Sequence, residues 1–99
     1  MSFYSIYRFI RFVLCPVRIT ASNYLFEGLP EEILVGRYHS WVIDRENFPD
    51  ALEITAVSQE GYIMALRHKD FDVQGIQFHP ESVLTPDGKK IISNWLNHV

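Results

Sequence analysis

From residue 52 to residue 78 the chain reads as three strand-like runs joined by connectors of only three residues. That spacing constrains the fold more than any other feature. Leu52-Glu53-Ile54-Thr55-Ala56-Val57-Ser58 alternates as a half-buried strand does. Gln59-Glu60-Gly61 leads into a second run at 62–68, and Lys69-Asp70-Phe71 into a third at 72–78. A crossover between parallel neighbours takes a dozen or more residues, so these runs are expected to pair as an antiparallel meander.

Upstream, Val17-Arg18-Ile19-Thr20 alternates as a short strand, and 25–30 is a connector punctuated by Gly28 and Pro30. The runs at 33–38 and 41–44 are strand-like and meet through His39-Ser40, and a polar loop follows from 45 to 50. The tail differs. Ile91, Ile92, Trp95, Leu96 and Val99 recur at helical spacing. Thr85 suits the N-cap, Pro86 the first helical position and Asp87 the positive end of the helix dipole. Met64, Tyr62 and Trp95 are read as core. The chain is thus mostly antiparallel strands plus one C-terminal helix, whereas a self-standing α/β domain alternates more helices with its strands. The expectation is part of a larger α/β domain.

Ninety-nine residues, 47% hydrophobic and 21% charged, make one small domain at most. A net charge of −3, with nine scattered basic residues, points to neither nucleic acid nor a membrane surface as partner. A single cysteine, Cys15, excludes an internal disulfide framework and fits a reducing, cytoplasmic setting. No apolar run reaches the roughly 18–20 residues that span a bilayer. Residues 3–14 are apolar and aromatic, but their two arginines lie inside the stretch, unlike a secretory leader. That segment reads as a strand or short helix that packs on something.

The chemistry concentrates where the third run of the meander opens into His79-Pro80-Glu81-Ser82. In extended backbone, residues two apart point to one side, and the intervening proline fixes its own φ and holds its predecessor extended. An imidazole and a carboxylate are therefore expected on one face at a strand's C-terminal end. Such a histidine, oriented by a carboxylate, keeps a nearby thiol as thiolate and returns the proton to a leaving amine. His39 and His68 share no metal-binding spacing with His79 and read as hydrogen-bonded strand residues. No metal site and no cofactor are expected.

Gly75-Ile76-Gln77-Phe78-His79-Pro80-Glu81-Ser82 resembles the signature of the class I glutamine amidotransferases, in the branch of anthranilate synthase component II and the aminodeoxychorismate synthase glutamine subunit. The segments 25–30, 35–40, 63–68 and 81–86 resemble the same family in the same order, from about Pro16 to the C-terminus. The resemblance implies the C-terminal part of a flavodoxin-like three-layer amidotransferase domain over 16–99, after a non-family apolar segment at 1–15. It implies glutamine hydrolysis through a cysteine thioester, with ammonia passing to a chorismate-using synthase subunit in tryptophan biosynthesis. His79 would be the general base and acid, Glu81 its orienting carboxylate, and Ser40 and Trp41 the wall of the glutamine pocket. The family usually carries leucine where Trp41 stands.

The family's Gly-x-Cys-x-Gly-x-Gln nucleophile elbow and its Gly-rich oxyanion loop have no counterpart here. Cys15 lacks flanking glycines, precedes a proline and sits in apolar surroundings that raise a thiol pKa, so it reads as structural and no nucleophile is assigned. Two readings stay open. The chain is the C-terminal part of a glutamine amidotransferase subunit, inactive alone, its nucleophile in another polypeptide. Alternatively, it is a truncated or degenerate remnant that keeps packing or docking surfaces without turnover. The aminodeoxychorismate (folate) role is likewise open beside the anthranilate one.

Overall fold

The computed structural model describes residues 12–38, 43 and 45–98. Strands β1 (Phe12–Ile19), β2 (Glu32–Tyr38), β3 (Leu52–Ser58), β4 (Ile63–His68) and β5 (Gln74–Ile76) form one sheet in the order β2-β1-β3-β4-β5. Every pairing is antiparallel. A 3-10 turn (Tyr24–Phe26) joins β1 to β2, and helix α1 (Gly88–His98) closes the described chain.

The meander forms as its spacing predicts. Gly61 N–H closes a turn onto the Ser58 carbonyl, and Gly61 itself sits at φ +88°, where a residue with a Cβ is strained. Pairing of the last run is shorter than 72–78: the ladder covers Gln74–Ile76. One backbone bond extends it at each end, from His68 N–H to Val73 O and from Gln77 N–H to Met64 O.

The strand expected at 17–20 forms over 17–19, as the end of the eight-residue β1, which runs straight through Pro16. The pairing explains why a proline is tolerated between two neighbours. Polar groups alternate sides along an antiparallel strand. Arg18 pairs with Val57, whereas Ile19 N–H donates toward Glu31, so even-numbered residues of β1 face β3. Pairing with β3 begins only at Val17. The N–H that Pro16 lacks would point where no ladder has started.

The sheet is curled. Ile76 ends β5 at one edge, and three residues later His79 N–H donates to Gly36 O of β2, at the opposite edge, at 2.8 Å. Three residues reach at most about 11 Å. A flat five-stranded sheet would separate its edges by about 19 Å. Register shifts between Ile54 and Val57 in β3 supply the irregularity that lets a strand bend.

The concave face packs Cys15, Val17, Ile33, Val35, Ala56 and Met64 against Leu25, Phe26, Phe78 and Ile91. Asn94 Nδ2 donates to the Leu25 and Glu27 carbonyls at 2.9 and 3.0 Å, tying α1 to the 3-10 turn. The helical periodicity is real, but its stripe is only half covered. Ile91 is buried, while Trp95 is 48% exposed and Leu96 56%. Tyr62 is likewise at the surface, so of the three residues read as core only Met64 is buried. Among the described residues no helix is long and apolar enough to cross a membrane.

Thr55, in the middle of β3, is fully buried, and its hydroxyl has no hydrogen-bond partner among the described residues. A buried hydroxyl without a partner costs free energy that a methyl does not. Thr55→Val keeps the branched shape that suits a strand. It is expected to stabilise the fold by about 1 kcal/mol, raising Tm by roughly 4–8 °C in a domain of this size. An unchanged or lower Tm would show that the hydroxyl is satisfied.

Candidate functional site

Phe78 is buried in the core, and it anchors the point at which the chain leaves the sheet. The next residues form a compact loop across the open edge of β2. Gly36 turns both of its backbone polar groups away from β1 toward this loop. Its carbonyl accepts from His79 N–H at 2.8 Å, and its N–H donates to Thr85 Oγ1 at 2.8 Å. Thr85 Oγ1 in turn donates to the His79 carbonyl at 2.7 Å. These bonds cover an edge that would otherwise present unpaired backbone groups.

Thr85 therefore does not cap the helix, as its position in the sequence suggested. α1 starts at Gly88, and the first helical bond, from Ile91 N–H, goes to the carbonyl of Asp87. Residues 85–88 form a separate turn closed by Gly88 N–H on Thr85 O. The hydroxyl is used instead to join two distant segments, which no local pattern signals. Gly88 was also missed. A Cβ at that position would lie 1.7 Å from the Pro80 carbonyl oxygen, so the start of α1 fits against the loop only without a side chain.

On this loop the two side chains singled out by the sequence meet. His79 Nδ1 and Glu81 Oε1 are 2.7 Å apart, with side-chain exposures of 37% and 66%. Glu81 lies below the usual carboxylate range because its own backbone N–H donates to the carboxylate, with the His79 hydrogen bond adding to the effect. With its pKa lowered, the ionised carboxylate and its pairing persist to lower pH than for an isolated glutamate and are lost as pH falls through the lowered value. With Nδ1–H donating to the carboxylate, the neutral ring is held in the tautomer whose Nε2 carries the lone pair.

Ser40 and Trp41 lie outside the described residues, as does His39. Gly36, whose carbonyl accepts from His79 N–H, precedes Ser40 by four residues in the sequence. Cys15 is 5% exposed within the core cluster, and its Sγ contacts the Pro16 carbonyl at 3.6 Å. His68 is a strand residue whose Nδ1 accepts from the Asp70 and Phe71 amides at 3.0 and 3.1 Å. Among the described residues no group of three or more His, Cys, Asp or Glu is placed to hold a metal ion.

Residues 14–99 match the family model described as glutamine amidotransferase class-I. The anthranilate synthase beta subunit 1, chloroplastic, of Oryza sativa subsp. japonica is 54% identical over 77 residues, which is 76% of this chain and 27% of that protein. The aminodeoxychorismate synthase component 2 of Klebsiella aerogenes is 48% identical over 82 residues, 83% of this chain and 43% of that one. Among solved structures, a protein of Thermoplasma acidophilum described as a GMP synthase subunit superposes with a TM-score of 0.79 at 32% identity. That match covers 89% of this chain and 43% of the other. The chain thus spans less than half the length of each of these relatives.

Proposed function

The chain belongs to the class I glutamine amidotransferase family, and we propose that it carries the acid–base half of a glutamine-hydrolysing subunit of anthranilate synthase. The observation that carries this reading is the 2.7 Å His79–Glu81 pair on a loop bonded to β2. Identity to both anthranilate and aminodeoxychorismate synthase subunits supports a partner that uses chorismate.

In this reading His79 Nε2 takes the proton of a cysteine thiol supplied by the remainder of the amidotransferase domain, since Cys15 is enclosed in the core. The thiolate adds to the side-chain amide carbon of glutamine. As the tetrahedral adduct collapses, the imidazolium returns its proton to the departing amine, leaving a thioester and ammonia. His79 then draws a proton from water, which attacks the thioester to yield glutamate and regenerate the thiol. Glu81 stabilises the imidazolium that forms twice in the cycle and keeps the ring from turning. Ser40 and Trp41 form the wall against which glutamine lies, and the ammonia passes to the chorismate-using subunit.

The test is complementation. The chain is mixed with a separately expressed polypeptide carrying the part of the Klebsiella relative outside the matched segment, and glutamine-dependent ammonia release is measured. Release from the mixture, with none from either piece, is expected. No release from two folded pieces that bind each other would defeat the reading. The chorismate-using synthase is then added to the mixture, and formation of anthranilate against aminodeoxychorismate separates the two pathways.

A further inference from the structure

We propose that Thr85 is the positioning residue of the His79–Glu81 pair: its buried hydroxyl, bridging β2 and the His79 carbonyl, sets the direction in which the imidazole leaves the backbone. The catalytic meaning of this role rests on His79 being the acid–base group; its structural content does not.

Both backbone polar groups of His79 are tied to one residue of β2. The N–H goes directly to Gly36 O at 2.8 Å, and the carbonyl reaches Gly36 N–H through Thr85 Oγ1, at 2.7 and 2.8 Å. The Cα of His79 lies between those two ties, so its Cα–Cβ bond has a defined direction relative to the sheet. With the hydroxyl removed, the carbonyl loses its tie to Gly36 while the N–H keeps its own, so the residue is freer to swivel about that bond. Pro80 makes that swivel matter, because its fixed φ transmits any rotation of His79 to Glu81. Ser82 N–H also reaches the His79 carbonyl, at 3.2 Å, but belongs to the same loop and does not reference it to the sheet. Thr85 is 4% exposed and already makes one donor and one acceptor bond, so water is a poor substitute.

The test compares the full chain with Thr85→Val, which removes the hydroxyl at similar shape, and Thr85→Ser, which keeps it. Carbon-detected NMR follows the Glu81 carboxyl through its titration, and hydrogen exchange follows the Gly36 amide. In the parent chain the Glu81 pKa is expected below its ordinary value, held there by its own backbone N–H and by His79. In Thr85→Val it is expected to move up toward that value, as the His79 share of the lowering is lost, while the Gly36 amide loses protection. Thr85→Ser restores both. A folded Thr85→Val that titrates as the parent does would overturn the proposal. If Thr85→Val does not fold, Thr85→Ser decides: parent-like titration supports the role, and an upward shift of Glu81 refutes it. These readouts need neither glutamine nor a partner, so they stand apart from the glutaminase reading. In the complemented assembly, Thr85→Val should lower kcat by on the order of a hundredfold with KM little changed, and Thr85→Ser should recover it. Silence in every mixture, the parent included, would speak against the glutaminase reading alone.

Discussion

His79→Gln is expected to lower glutamine hydrolysis by the complemented assembly by roughly 10²–10⁴-fold, the span typical of a lost general acid–base group. An amide at this position still makes hydrogen bonds, but it neither accepts the thiol proton nor returns it to the departing amine. The change should leave the fold nearly untouched. The imidazole is more than a third exposed, and the Gly36 and Thr85 contacts of His79 are made by its backbone. Surface substitutions of this kind usually fall within about 0.5 kcal/mol of the parent. Glu81→Gln should cost less than His79→Gln, because Glu81 acts through the ring and the replacement oxygen still accepts from Nδ1–H. The double variant should be no slower than His79→Gln alone, since the two groups act as one unit. A His79→Gln assembly within twofold of the parent, at an unchanged Tm, would remove His79 from the chemistry.

The largest effect on stability is expected at Gly88. A Cβ there meets Pro80 backbone atoms, the carbonyl oxygen at 1.7 Å and the carbon at 2.7 Å. No flexible side-chain end can yield, so either α1 or the His79–Pro80–Glu81 loop must move. α1 is held by Ile91 in the core and by Asn94 on the 3-10 turn. The loop is held by Gly36. Gly88→Ala is therefore expected to cost about 3 kcal/mol, the upper end for overpacking, and to lower Tm by more than about 10 °C. Thermal unfolding followed by circular dichroism checks it. Gly61→Ala is the useful contrast, because its Cβ meets nothing within 4 Å and only its φ of +88° is strained. Its cost should be near 1 kcal/mol, with the His79–Glu81 pair undisturbed. A Gly88→Ala chain as stable as Gly61→Ala would mean that the loop has room to retreat.

The elements that were legible in sequence share one property: their signals are local. The alternation at Leu52–Ser58, the three-residue connectors and the helical recurrence of Ile91, Ile92, Trp95 and Leu96 are each read from a few neighbouring positions. The misreadings share the opposite property. The alternation of Val17-Arg18-Ile19-Thr20 marked only the end of β1, which also runs through Pro16 because on the β3 side no ladder has begun there. Trp95 has the spacing of a core residue, but nothing among the described residues covers it enough to bury it. Thr85-Pro86-Asp87 has the composition of a helix start, and the helix begins at Gly88 because the threonine hydroxyl serves β2 instead.

The His79-Pro80-Glu81 pairing was written in the sequence by itself. The two residues lie within three positions, although the backbone there is not extended as expected: residues 79–82 form a turn closed by Ser82 N–H on the His79 carbonyl at 3.2 Å, and within it the side chains meet. The family was legible for the same reason, since its signature is a contiguous octet. Where that pair sits was decided by the tertiary structure alone. Only when the sheet curls does the residue three places beyond β5 meet Gly36 on the opposite edge, with Thr85 closing the bridge and Gly88 leaving space behind Pro80. The contacts to Gly36 join positions some 40 to 50 residues apart, and no periodicity records the curvature that brings them together.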